Sequence, residues 1–172
     1  MASFFQWICM LSSAIFSLRL IGNKRVPRYM SYFYVYSLIG GIMHTLDYFR
    51  DYFKILDKIA WGIISNSLLL FHFTFLSFFI YSVLSNKNVF KLMTILFYIF
   101  LAIILFCFLT NDLSTPISTA FAFTNFGLVI FCCFYYVQLF NAVPTIHLLK
   151  DAAFWVVNGI FFVCVAQYQY LL

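Results

Sequence analysis

From Ile59 to Leu84 the chain passes through 26 residues without one Asp, Glu, Lys or Arg, and apolar side chains recur on every face of a helix built on it. The hydrocarbon core of a bilayer needs roughly 20 such residues, and a chain inside it must satisfy its backbone polar groups internally, as helices or closed barrels do. Apolar stretches of similar kind recur at about 4–21, 29–46, 89–109, 117–140 and 152–172. A barrel would alternate apolar and polar residues over roughly 10-residue strands, and these stretches do not alternate. Composition agrees: 65% of the 172 residues are hydrophobic and 9% charged, against about 25% charged in a soluble domain. The expected fold is therefore all-α, a polytopic transmembrane bundle of six helices in a single domain, 1–172, with no appended soluble domain.

Charge placement predicts how that bundle is threaded. No base precedes the first span and Arg19, Lys24, Arg25 and Arg28 follow or close it. A signal peptide has the opposite order, so the segment reads as a retained helix with its N-terminus outside. The turns then place Arg19, Lys24, Arg25, Arg28, Lys87, Lys91 and Lys150 inside with Asp151, a balance of +6. Arg50, Lys54 and Lys58 fall outside with Asp47, Asp51, Asp57 and Asp112, a balance of −1. The positive-inside rule then puts both termini outside. The formal charge of +5 is thus spent on topology rather than nucleic-acid binding.

Asp47–Lys58 carries three acids and three bases, interleaved with Tyr48, Phe49, Tyr52, Phe53, Ile55 and Leu56. That pattern predicts a short amphipathic helix at the outer interface. The span 59–84 exceeds the bilayer requirement and is expected to tilt or protrude. Pro116 is expected in the first turn of the fifth span, where a missing N–H costs little. The five cysteines all fall in spans, without a C-x-x-C pair, and read as small packing residues.

Small and polar residues mark helix contacts in lipid, where apolar surface carries no preference. Gln6, Ser13 and Ser17 share a line on the first span; Ser118, Asn125, Cys132 and Tyr136 share one on the fifth; Asp151, Trp155, Asn158 and Gln169 mark the sixth. The fourth span offers Thr94 and Tyr98 alone, which predicts the most lipid-exposed helix. The Gly40-Gly41 pair is expected to allow close helix packing. Asn66 and Asn125 each lie about 11–12 Å below the outer end of their spans by helical rise, so a direct hydrogen bond between them is expected if those helices are neighbours.

Two sets of residues carry candidate chemistry. His44 and Asp47 are three apart, within reach on a helix, and a carboxylate there can tune an imidazole as a relay or pH sensor. His72 lies about 20 Å below Ile59, and an ionisable residue at such depth is a functional candidate by default; a neutral imidazole bonded to a neighbouring hydroxyl or carbonyl, without any activity, accounts for it equally well. A ligand site bordered by His44, Asp47, Asn66, His72 and Asn125 follows, in an outer-facing pocket between the second, third and fifth spans. No two histidines share a depth suited to haem, no metal motif is present, and no nucleophile elbow or Walker loop occurs. His147, Lys150 and Asp151 form the one inner-face cluster, and an Asp151 helix cap accounts for it. Glutamate is absent and no aspartate lies mid-span, which disfavours a proton-driven carrier. No enzyme, cofactor or metal is expected.

NSLLLFHFTFLSFF (Asn66–Phe79), FGLVIFCCFYYVQLF (Phe126–Phe140) and LLKDAAFWVVNGIFF (Leu148–Phe162) resemble, in that order, segments of an uncharacterised family of small six-helix bacterial inner-membrane proteins. Related regions are similar to the membrane sensory part of some histidine kinases. Tyr135-Tyr136-x-Gln138-Leu139 and Phe154-Trp155-x-x-x-Gly159 carry most of the likeness, and the family often has a glutamate where His72 stands here. The resemblance implies six helices and a bacterial inner membrane. Together these readings predict a non-enzymatic sensor or scaffold that works on a membrane-embedded ligand or through a membrane partner or a second copy of itself. The alternative is a small oligomeric transporter or channel.

Overall fold

The computed structural model describes residues 12, 15, 18, 27–53, 58–141 and 151–168, and among these every regular element is a helix. They are α1 (Arg28–Phe53), α2 (Lys58–Val83), α3 (Lys87–Thr110), α4 (Ser118–Asn141) and α5 (Ala152–Tyr168). Residues 12, 15 and 18 have helical backbone; the rest of the expected first span, with its Gln6, Ser13 and Ser17 line, lies outside the described residues, as does Gln169.

The helical bundle is as expected, but six full spans are not what the described residues provide. Ile59–Val83, Lys87–Thr110 and Ser118–Asn141 are long and apolar enough to cross a membrane, whereas Met30–Met43 and Ala152–Gln167 are shorter apolar stretches. In α1 the apolar run gives way to His44, Asp47, Arg50 and Asp51 while the helix continues. In α5 the helix has 17 residues, below the roughly 20 that a bilayer needs. The separate interfacial helix expected from Asp47 does not begin there. Asp47 lies within α1, which runs on to Phe53, because no proline, glycine or capping break falls between Leu46 and Phe53. Residues 54–57 lie outside the description.

The helix starts follow local chemistry. Met30 N–H donates to the Pro27 carbonyl at 3.0 Å, opening α1. Asn86 caps α3, its side chain accepting from Asn88 N at 2.9 Å and Val89 N at 3.4 Å, which satisfies amides that the helix itself leaves unpaired. Pro116 stands just before α4 rather than in its first turn, and Phe121 N–H donates to the Ile117 carbonyl at 3.1 Å.

Side-chain pairs fix the packing. Phe33 meets Phe79 at 6.0 Å between ring centres and Tyr36 meets His72, so α1 and α2 are antiparallel. Asn66 touches Ile117 at the start of α4 while Gln138 near its end touches Ser85 beyond α2, so α2 and α4 are parallel. Tyr135 meets Asp151 and Cys132 faces Val157, so α5 runs back along α4. The core centres on Phe73, Phe79, Leu128, Phe131, Met93, Ile104 and Val157, all without exposed surface. Phe73 stacks on Phe97 at 5.5 Å, and Phe100 meets Phe131 edge-on at 6.3 Å. Gly127 admits this cluster, because a Cβ there would meet Phe73 at 3.0 Å and Phe100 at 3.1 Å. As its lack of polar residues predicts, α3 is the least buried of the three long helices, with Tyr98, Phe106 and Leu109 turned outward.

Candidate functional site

A cavity of about 680 Å³ lies between α1, α2, the start of α4 and the end of α5. It runs from Trp61 and Pro116 at the end that holds the 111–117 connection to Phe71 and His72. Those levels are 11 residues apart on α2, about 16 Å by helical rise. Its walls are largely apolar and aromatic. Among the described residues no Asp, Glu, Lys or Arg lines it.

His72 forms part of the deep end and is partly buried. Its Nδ1 lies 2.6 Å from the Tyr36 hydroxyl, and the two rings meet edge to face at 5.3 Å. Tyr36 also stacks on Phe71 at 6.3 Å, so the pair is held from two sides. Sequence reasoning missed Tyr36, which was hidden among the many tyrosines of α1.

Asn66 also borders the cavity, in a role the sequence did not reveal. Its Nδ2 donates to the Leu113 carbonyl at 3.3 Å and the Thr115 carbonyl at 3.0 Å, and its Oδ1 accepts from Ile117 N–H at 3.1 Å. The side chain thus latches the 113–117 backbone to α2. Gly62, one turn earlier, makes the approach possible: a Cβ there would collide with the Ser114 carbonyl group. Asp112 shapes the same connection, accepting from Ser114 N at 2.9 Å and Ser114 Oγ at 2.6 Å.

The expected Asn66–Asn125 bond is not made. Hydrogen bonds from α2 and the turn after it to α4 pair residues 51 to 53 apart, which sets Asn66 beside Ile117 and Asn125 near the level of His72. The first turns of α2 stand beside the connection rather than beneath it, so equal distances from the helix ends are not equal depths. Asn125 has no exposed surface, and neither its Nδ2 nor its Oδ1 has a partner; Thr124 Oγ1 and Ser77 Oγ share that condition. Phe121 and Ser118 line the cavity, and Asn125 follows Phe121 by one turn on that face, just past the floor.

His44 and Asp47 both belong to the backbone of α1, but their side chains lie outside the described residues. Gly40 does not serve close packing. A Cβ there would meet nothing within 4 Å, and the residue opens onto the cavity. Gln167 of α5 is a further polar lining residue. It was missed because its span was judged by the line through Asp151, Trp155 and Asn158.

At the opposite end the polar residues are spent on connections. Tyr135 Oη donates to Asp151 Oδ2 at 3.4 Å, Tyr136 Oη donates to Asn158 Oδ1, and Gln138 Oε1 accepts from Ser85 N at 2.8 Å and Asn86 N at 3.0 Å. Asp151 caps α5 as expected, accepting from Ala153 N at 2.9 Å. Its neighbours His147 and Lys150 lie outside the described residues. Cys107, Cys132 and Cys164 are buried and unbridged, and among the described residues no group of three or more His, Cys, Asp or Glu side chains converges. The chain matches no family model, no curated protein and no solved structure.

Proposed function

We propose that the chain is a non-enzymatic integral membrane module that holds a membrane-embedded small molecule in the α1–α2–α4–α5 cavity and passes the resulting change to a partner protein or a second copy of itself. In this reading it crosses a bacterial inner membrane six times with both termini outside, and the cavity opens toward the outer face. The charge balance of the connections supports that orientation. The resemblance to small six-helix inner-membrane proteins and to kinase sensory regions belongs to the same proposal.

One observation carries it: a roomy chamber that is apolar on its walls and has a fixed polar pair, Tyr36 with His72, at its deep end. Small-molecule sites have this build, apolar surface for affinity and a few placed polar groups for orientation. A transport path gains no such support, since beyond His72 the described parts of α2 and α4 close over Phe73, Phe79 and Phe131.

Gly40→Phe tests the reading, because it fills open space instead of displacing a neighbour. Purified from native membranes in mild detergent, the parent protein should show a bound small molecule by native mass spectrometry, and the variant should lose it. Identical, unliganded spectra from both proteins would overturn the proposal.

A further inference from the structure

We infer that the 113–117 connection is the moving wall of the chamber, and that Asn66 is the positioning residue that ties it to occupancy. A filled chamber holds the connection latched, and a released connection lowers affinity. The inference rests on the ligand-binding reading above and adds how that site is regulated.

The chamber wall and the latch share residues. Pro116 and Ile117 of the connection line the chamber at its Trp61 end, and so does Asn66. Asn66 is 3% exposed. Its Nδ2 donates to the Leu113 and Thr115 carbonyls, and its Oδ1 accepts from Ile117 N–H. Between α3 and α4 the chain makes only turns and bends, with Asn111, Asp112, Leu113 and Thr115 exposed. Irregular, exposed segments of this kind open at lower cost than the packed helices around them.

Linkage sets the direction of the coupling. When the connection lifts, Pro116 and Ile117 leave the wall, and a molecule in the chamber loses its contacts with them. Such a molecule therefore binds the latched form better and shifts the connection toward it. Reciprocity demands the converse, that whatever unlatches the connection weakens binding.

Gly62 separates this coupling from direct contact with a ligand. It stands outside the lining, yet a Cβ there would collide with the Ser114 carbonyl group. Gly62→Ala thus forces the connection off α2 and leaves the α2 wall residues unchanged.

Naphthalene is the probe, a ring matched to the aromatic side chains of Trp61, Phe71 and Phe121 on the wall. It is titrated calorimetrically into the full chain in nanodiscs, with empty nanodiscs subtracted, and deuterium exchange over 111–118 is followed in the same nanodiscs. At a free concentration of about ten times Kd, naphthalene should slow exchange in the connection about tenfold. The 84–88 turn at the opposite end should exchange as before. Gly62→Ala and Asn66→Ala should each speed exchange in the connection and, by cutting the latched fraction to about a tenth, weaken naphthalene about tenfold. Gln138→Ala loosens the opposite turn and should keep the parent affinity, which a general loss of stability would not. Asn66→Ala carries the test if Gly62→Ala does not fold. Parent affinity in both latch variants, or connection exchange indifferent to naphthalene, would overturn the coupling alone, provided Gly40→Phe blocks binding. Absence of binding, or binding indifferent to Gly40→Phe, would overturn both this inference and the ligand-binding reading beneath it.

Discussion

Asn66 on α2 and Asn125 on α4 are the same side chain, each placed in the first half of a long apolar helix, and they meet opposite fates. Asn66 makes three hydrogen bonds to the backbone of the 113–117 connection. Asn125 makes none and has no exposed surface. The difference lies in what the neighbouring helix offers at each level. Beside Asn66 stands an irregular segment whose carbonyls and amide lack helical partners. Beside Asn125 stand regular helices, whose backbone groups are already paired. An asparagine in an apolar bundle therefore stabilises where it faces a chain break and costs free energy where it faces intact helix.

The contrast can be broken first at Asn66. Asn66→Ala removes three bonds and leaves the Ile117 amide unsatisfied, so unfolding in a denaturing-detergent titration should come earlier by about 3 kcal/mol. A loss below a third of that would mean the connection finds other partners and the latch is incidental. Asn125→Leu should act in the other direction, stabilising by about 1 kcal/mol, because a shape-matched apolar residue removes two orphaned polar atoms. Destabilisation instead would show that the carboxamide has a partner in the membrane, such as a buried water. Gln138→Ala gives the smallest effect, a loss of roughly 0.5–1 kcal/mol in the same titration. Its two accepted bonds, from Ser85 and Asn86, lie at an exposed turn where water can replace them.

Much of the fold was legible because hydropathy and charge placement are strong signals in a chain with so few polar residues. The bounds of α2, α3 and α4 fall within a few residues of the expected spans, and the outward turn of α3 followed from its lack of polar side chains. What stayed hidden depended on register between helices, which hydropathy does not encode. His72 stood out by its depth in an apolar span and lines the chamber, yet its partner Tyr36 was one aromatic among many. Asn66 and Asn125 were measured from helix ends that turned out to stand at different levels. Gly40 was read as a packing residue because glycine allows close approach and open space alike, and only the neighbouring helices decide between the two.

That last ambiguity has a practical side. Most chambers in a protein interior can be narrowed only by crowding a wall that is already filled. Here the backbone at Gly40 faces emptiness, so one codon governs the bore of the chamber. Alanine, valine and leucine at that place form a graded set of calipers, against which the size of whatever the chamber holds can be gauged without disturbing the helices that enclose it.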